Sequence, residues 1–174
     1  MPNEGITDFQ ARRNRAEASA QNLVESSLRE IESLNSRLNA FVRVDAEGAR
    51  SAARSSDERW QRGAAQGPLD GIPLAVKDNI DVAGLTAAAG IGALKARIAH
   101  KDAVCVARLR ERGAIVLGKT LMDEAAFGAM GDNATFGRCQ NPRAPGHTPG
   151  GSSSGSAAAV AAGLCTAALG TDTL

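Results

Sequence analysis

Two apolar runs separated by a helical segment constrain the fold of this chain more than any other feature. Residues 73–82 have the pattern of an apolar strand with a lysine in its middle, residues 103–112 have the pattern of a helix, and residues 114–117 are apolar throughout. Strands that are apolar on both faces are typical of sheets covered by helices on both sides. The order strand, helix, strand also predicts a right-handed crossover between parallel strands. We therefore expect an α/β fold with a helix-covered sheet.

The whole chain divides into three parts. Residues 1–17 are expected to form a loosely attached tail. Residues 18–62 predict two helices, over 18–41 and 46–60, and the first has one apolar face, because its large apolar side chains recur every three or four residues. That face consists of Val24, Leu28, Ile31, Leu34, Leu38 and Phe41. Residues 63–174 are expected to form the α/β part of the chain.

Within this α/β part, local signals set the expected element ends. Asp102 is a typical N-cap for the helix over 103–112, and Gly113 is a typical residue just past its end. An alanine-rich helix is expected over 152–163, followed by a last strand over 167–171. Alanine contributes 34 of the 174 residues, as many as leucine, isoleucine, valine and phenylalanine together. We therefore expect helices to pack closely on the sheet through small side chains.

The composition excludes several classes of protein. A net charge of +1 and 3% aromatic residues argue against a nucleic-acid-binding face. No apolar stretch is long enough to span a membrane, and the amino terminus lacks the apolar core of a signal peptide. Three widely spaced cysteines, Cys105, Cys139 and Cys165, favour a reducing cytoplasm, and two histidines exclude a histidine-rich metal site. No cofactor and no metal are expected.

Residues 113–120 match the phosphate-binding P-loop pattern G-x4-G-K-[ST]. A P-loop needs a flexible turn whose backbone N–H groups face a phosphate. Here the four residues between Gly113 and Gly118 are strand formers, and a helix precedes them. We therefore reject nucleotide binding and expect Lys119 to be a charge at the end of a strand.

Three polar features are candidates for chemistry. Lys77 interrupts an apolar strand, and burial would lower its pKa and let it act as a base. Residues 150–156, Gly-Gly-Ser-Ser-Ser-Gly-Ser, precede a helix, and residues 170–173, Gly-Thr-Asp-Thr, follow a short strand where α/β sheets place their sites. Taken singly, each has a plainer interpretation: a solvated strand lysine, an N-cap loop and a turn.

Taken together and in order, these segments resemble the amidase signature family of Ser-Ser-Lys amidohydrolases, over residues 18–174. The segments that carry the resemblance are Gly-Ile-Pro-Leu-Ala-Val-Lys-Asp-Asn over 71–79, Gly-Lys-Thr-Leu-Met-Asp-Glu over 118–124, Asn-Pro over 141–142, the Gly/Ser block and alanine-rich helix over 148–163, and Leu-Gly-Thr-Asp-Thr over 169–173. The resemblance implies the amidase signature fold, a mixed sheet between helices, incomplete in this chain.

The resemblance also implies roles for residues. Lys77 matches the family's lysine and Ser152 its second catalytic residue, a serine that follows a cis peptide bond after Gly151. Ser153 and Gly150 match supporting positions of the same block. The turn after the last strand resembles the start of the oxyanion hole. In it, Thr171 and Asp172 would be structural, and the N–H groups of Thr173 and Leu174 would be the donors.

The family's nucleophilic serine is expected two positions after Leu174. We therefore expect the chain to be an amino-terminal fragment that is inactive by itself. The function that the resemblance implies is hydrolysis of a small carboxylic amide, by an acyl-enzyme, to an acid and ammonia or an amine. It implies no cofactor, no direct nucleic-acid partner and no membrane, and leaves a homodimer of the intact protein open. The alternatives are the A subunit of the tRNA-dependent Glu/Asp amidotransferase and a non-catalytic binding relative, with the general amidase preferred.

Overall fold

The computed structural model describes residues 5–172. These residues form five α-helices and six strands, with two short 3₁₀ turns at Gly92–Leu94 and Glu124–Ala126. The helices are α1 (Ile6–Asn14), α2 (Ala20–Leu38), α3 (Ala46–Gln61), α4 (Val104–Glu111) and α5 (Ser154–Ala161). The strands are β1 (Phe41–Val44), β2 (Pro73–Lys77), β3 (Ile115–Thr120), β4 (Asp132–Asn133), β5 (Gly137–Arg138) and β6 (Ala167–Leu169). None of these helices combines the length and the hydrophobicity that a bilayer span requires.

Four strands form one mixed sheet in the order β1–β3–β2–β6. Strand β2 pairs in parallel with β3 on one side and with β6 on the other, while β1 pairs antiparallel with β3. Strands β4 and β5 form a separate two-stranded hairpin. The predicted α/β fold with a mixed sheet is therefore confirmed. Strand β2 lies at the centre of the sheet, which explains why all five of its residues are buried.

Helices cover both faces of this sheet. On one face, Ala75, Ile115 and Leu117 belong to the largest apolar cluster, together with side chains of α2, α3 and α5. On the opposite face, Val76 and Val116 pack against Val106 of α4. Alternation of side chains along each strand accounts for this division, since successive residues point to opposite faces. The expected covering of the sheet on both sides is confirmed.

Helix α5 approaches the sheet as closely as its alanine-rich sequence predicts. Ala158 and Ala159 are buried in the main cluster, and Gly155 faces the backbone just before β1 and just after β3. A Cβ atom at Gly155 would lie 2.3 Å from the carbonyl oxygen of Ala40 and 2.5 Å from the amide nitrogen of Leu121. Such distances leave no room for a side chain. Small residues thus allow the loop before α5 to reach the end of the central strand.

Residues 6–14 correct the expectation of a loosely attached tail. They form helix α1, whose Phe9 packs with Ile72 and Leu74 against the sheet. Arg13 is almost fully buried and binds the Asp57 carboxylate at 3.0 Å and the Asp70 carbonyl oxygen at 2.6 Å. This helix was not predicted because it has no repeating apolar pattern. Its buried side chains are one phenylalanine and one arginine.

Several predicted element boundaries also differ from the structure. The first helix ends at Leu38, because Asn39 adopts a left-handed conformation and Phe41 begins β1, a strand that residues 18–62 were not expected to contain. Strand β2 ends at Lys77, where Ile80 donates a turn hydrogen bond back to its carbonyl oxygen. Helix α4 begins one residue later than expected, with Ala103 at its N-cap position. The Asp102 carboxylate instead accepts from the Ala83 amide and from Arg110.

Candidate active site

Lys77 lies at the carboxyl end of the central strand and is fully buried. Its backbone pairs with Thr120 of β3, so its side chain shares a sheet face with that residue and points toward the loop before α5. The Nζ atom donates one hydrogen bond of 2.7 Å to Ser152 Oγ and a second of 2.7 Å to Thr171 Oγ1. A buried strand position therefore presents this amine to two hydroxyl groups, and the solvated-lysine interpretation is wrong.

Ser152 follows a cis peptide bond after Gly151, as the family resemblance implies. Gly150, immediately before, has a φ of +82°, a conformation that glycine adopts readily. The Ser152 side chain is buried, and its carbonyl oxygen accepts a hydrogen bond of 3.2 Å from the Asp123 amide. The Gly/Ser block is therefore a shaped loop that fixes one serine against Lys77.

Ser153 connects this loop to the turn after β6. Its Oγ accepts from the Thr171 amide at 3.2 Å and donates to the Thr171 carbonyl oxygen at 3.1 Å. Asn79 adds a hydrogen bond of 3.2 Å from its side-chain amide to Thr171 Oγ1. These contacts give Ser153 and Thr171 supporting positions in the site. Because the Thr171 amide is already engaged with Ser153, it is not free to bind an oxyanion.

The predicted site residues therefore converge in part. Lys77, Ser152, Ser153 and Thr171 are joined by direct hydrogen bonds, and Gly150 and Gly151 form the loop that carries the serines. Asp172 lies exposed on the turn after β6. Thr173 and Leu174 lie outside the described residues. No group of three or more potential metal-ligating side chains occurs within residues 5–172.

The electrostatics of the site favour a lysine that gives up its proton easily. Burial lowers the pKa of Lys77 below its ordinary value, and the charge of Asp123 opposes this effect in part. A neutral amine has a lone pair that can accept a proton. When Lys77 is neutral, a proton can therefore pass from the Ser152 hydroxyl to the Lys77 amine along this 2.7 Å hydrogen bond. Such an arrangement is suited to activating a nucleophile in acyl transfer.

The comparison with protein families agrees with this geometry. A family model described as Amidase matches residues 22–173 of the chain. The chain belongs to the amidase family. The match begins two residues into α2 and includes Lys77, the Gly/Ser block and the turn after β6. The resemblance drawn from the sequence is confirmed.

Curated relatives of this amidase-family chain include proteins named as part of a transferase. The A subunit of glutamyl-tRNA(Gln) amidotransferase from Salinibacter ruber is 46% identical over 168 residues, which cover 97% of this chain and 32% of that protein. The protein of the same name from Halorhodospira halophila is 43% identical over 173 residues, which cover 99% of this chain and 36% of that protein. The chain thus spans about a third of the length of the curated relatives it matches.

Solved structures of amidases have the same fold. The native peptide amidase from Stenotrophomonas maltophilia matches with a TM-score of 0.89 at 40% identity, over 94% of this chain and 35% of that one. A bacterial aryl acylamidase belonging to the amidase signature enzymes matches with a TM-score of 0.87 at 29% identity, over 93% of this chain and 34% of that one. The amidase signature fold is therefore the fold of this chain.

Lys119 lies near the end of β3, as expected, but it is buried and is thus a second buried lysine of this amidase fold. Its Nζ lies 3.4 Å from Asp78 Oδ1 and donates to the Thr86 carbonyl oxygen at 3.0 Å. Burial lowers the pKa of Lys119 and raises the pKa of Asp78, while each charge favours the other. Residues 115–120 are a strand, so they cannot form the phosphate loop that the P-loop pattern requires. The Lys119–Asp78 ion pair therefore holds the segment that follows β2 against strand β3.

Two polar residues near the site were missed by the sequence analysis. Asn79 directly follows the lysine motif, and Asp123 directly follows the short segment after β3. Both are polar residues just beyond the carboxyl ends of parallel strands, and this position is the signal that could have identified them. Asp123 is buried, with its Oδ2 accepting from the Met130 amide at 3.0 Å.

Proposed function

We propose that this chain contributes the lysine and one serine of a proton relay to a site that cleaves carboxylic amides. The single observation that supports it most is the buried Lys77 amine, 2.7 Å from the hydroxyl of Ser152. Because burial lowers its pKa, a larger fraction of this amine is neutral at a given pH than of an ordinary lysine side chain, and the neutral form can act as a general base. The reaction class is amidase: a carboxylic amide is hydrolysed to an acid and ammonia or an amine.

The relay would work in balanced steps. A nucleophilic hydroxyl gives its proton to Ser152 Oγ while Ser152 gives its own proton to neutral Lys77, and the nucleophile's oxygen bonds to the amide carbon. The C–N bond then breaks, and the proton returns from Lys77 through Ser152 to the leaving nitrogen. Water repeats the sequence on the acyl ester and releases the acid. Lys77 and Ser152 end each cycle in their starting protonation states.

The nucleophile is not assigned to any described hydroxyl near Lys77. Ser152 serves as the relay, Ser153 bridges Thr171, and Thr171 Oγ1 accepts from Lys77 and Asn79. The family resemblance gives the role to a serine two positions after Leu174, and the oxyanion donors to the amides of Thr173 and Leu174. Asp172 would help to hold this turn. We accordingly expect the 174-residue chain alone to release no ammonia from amides.

A second candidate is the A subunit of a glutamyl-tRNA(Gln) amidotransferase. Its support is specific, since proteins of that name from several bacteria are 40–46% identical over nearly all of this chain. The same lysine–serine relay could release nitrogen from a donor amide in either case. Cleavage of an amide is therefore better supported than the choice of a general amidase over an amidotransferase subunit. Neither candidate requires a cofactor, and a cytoplasmic location remains a prediction for both.

Activity can be tested in a fusion that continues this chain past residue 174 with the corresponding segment of the Salinibacter ruber relative. Ammonia release is measured from a panel of primary amides that includes L-glutamine. We expect turnover that falls by at least about 10³-fold in Lys77→Ala, because the relay loses its base. This fusion tests the relay and not the choice between the two candidates, because about two thirds of the Salinibacter ruber relative lies outside the part that this chain matches.

Lys95→Ala is the matched control, since Lys95 is exposed and contributes to no part of the site. This variant should retain the activity of the unmodified fusion. Full activity in Lys77→Ala would contradict the assigned role of Lys77. Turnover by the 174-residue chain alone would show that the nucleophile is one of its own residues.

A further inference from the structure

Asp123 carries a carboxylate oxygen that the relay described above does not use. The side chain is 3% exposed, and only Oδ2 has a hydrogen-bond partner among the described residues, the Met130 amide at 3.0 Å. Oδ1 is buried and accepts no hydrogen bond within residues 5–172. Burying a carboxylate oxygen without a hydrogen-bond partner costs free energy of folding. Such a group in a folded protein therefore calls for a functional explanation.

The structure makes room for this carboxylate beside the cis peptide bond. A Cβ atom at Gly151 would lie 2.6 Å from Asp123 Oδ2, and one at Gly128 would lie 2.4 Å from the same atom. The backbone of Asp123 also donates to the Ser152 carbonyl oxygen at 3.2 Å. Glycine at both positions thus lets the carboxylate lie directly against the loop that holds Ser152.

Other charged and titratable groups near Lys77 must be considered before Asp123 is taken as the negative charge that acts on it. Asp78, the next residue after β2, is paired with Lys119. Asp172 is exposed on the turn after β6. Cys139 faces Asp123 as well, but burial, reinforced by the Asp123 charge, raises the pKa of Cys139 to about 11 and keeps the thiol neutral. Asp123, whose carboxylate lies against the loop that carries Ser152, is therefore a buried negative charge that can act on Lys77.

We propose that Asp123 is a positioning residue whose carboxylate serves as the counter-charge for Lys77 while Lys77 holds the proton of the relay. The inference rests on the proposed function, in which Lys77 alternates between amine and ammonium. No proton moves to Asp123. Its charge acts through space, since the two side chains form no ion pair within 4 Å in the described part of the chain, and it stabilises the ammonium that burial disfavours.

The test uses the 174-residue chain and measures the protonation of Lys77 by NMR of the lysine side chains, of which there are four. Asp123→Asn removes the charge and retains an oxygen that can accept from Met130. Asp132→Asn removes a charge from an exposed position in the same region and is the matched control. We expect the Lys77 midpoint to fall by about 0.5 to 1 pH unit in Asp123→Asn. It should stay unchanged in Asp132→Asn.

The outcomes separate this inference from the function on which it rests. If unmodified Lys77 titrates like a free lysine side chain, the proposed relay fails, and the role of Asp123 fails with it. If Lys77 titrates low but equally in the unmodified chain, Asp123→Asn and Asp132→Asn, the relay stands and the counter-charge is overturned. If Asp123→Asn does not fold, Asp123→Ser, which also removes the charge and retains an oxygen, is titrated against the same criterion.

Discussion

Lys77 Nζ and Ser152 Oγ lie 2.7 Å apart although 75 positions separate the two residues in the sequence. The sheet explains their meeting. Lys77 ends the central strand β2, and the loop that carries Ser152 leads into α5, which packs against β2, β3 and β6. Strands β2 and β6 are parallel, so the turn after β6 brings Thr171 to the same edge. The residues of the proposed relay therefore lie together at the carboxyl ends of these parallel strands.

Gly155→Ala should destabilise the protein, because the added methyl group would meet the backbone of Ala40 and Leu121. Overpacking against immobile backbone costs about 1–3 kcal/mol, more than the helix propensity that alanine adds. Urea unfolding measures the difference. Ala157→Ser adds one atom at an exposed position of the same helix and should change the free energy of unfolding far less. Equal stability of Gly155→Ala and the unmodified protein would contradict the close approach of α5.

Arg13→Ala should cost about 3–5 kcal/mol of unfolding free energy, because it leaves the buried Asp57 carboxylate without its cation. Arg13 also stacks on Trp60, with the guanidinium carbon 4.6 Å from the ring centre. Arg15→Ala is the control, since Arg15 pairs with Glu17 on the exposed side of the chain and should change stability little. If the two variants were equally stable, helix α1 would be the loose tail that the sequence suggested.

Stability should fall in acid partly through Asp70. Burial raises the pKa of Asp70, but hydrogen bonds from Arg59, Ser56 and Gln66 lower it further, so the net pKa lies below the ordinary value. A carboxylate whose pKa is lowered by folding contributes stability above its unfolded pKa, about 3.9, and loses that contribution as the pH falls through the folded pKa.

Urea unfolding between pH 3 and about pH 6 tests this contribution. Asp70→Asn should be less stable than the unmodified protein at the upper end, and the gap should narrow as the pH falls below about 4. Asp8→Asn, at an exposed position of α1, should follow the unmodified protein throughout. A gap that stays constant with pH would mean that Asp70 acts through shape rather than charge.

The sequence predicted the parts of this protein whose signals are local or repeated. The apolar stripe of α2, the apolar strands β2 and β3, and the alanine-rich α5 all lie within a few residues of their predicted bounds. Lys77, Ser152 and Ser153 were identified because their motifs resemble a known family, and the cis bond before Ser152 followed from the same resemblance. Composition alone assigned none of these roles.

The remaining features depend on contacts between distant segments. Arg13 is buried only because Asp57 and the Asp70 carbonyl lie where α1 meets α3, and a nine-residue helix gives no sign of this. Lys119 is buried because Asp78 from the neighbouring strand end neutralises it. Strand β1 follows its helix so closely that its first residue, Phe41, continued the helical stripe in the sequence.

Titration of the Lys77 side chain by NMR in the unmodified 174-residue chain shows whether Lys77 can act as a base toward Ser152. Lys77→Arg identifies its signal, because Lys119 is also buried and its pKa is also lowered. We predict that Lys77 loses its proton at a pH clearly below the value of about 10.4 for a free lysine side chain. A midpoint at or above that value would contradict it, since a lysine that stays charged cannot accept the Ser152 proton.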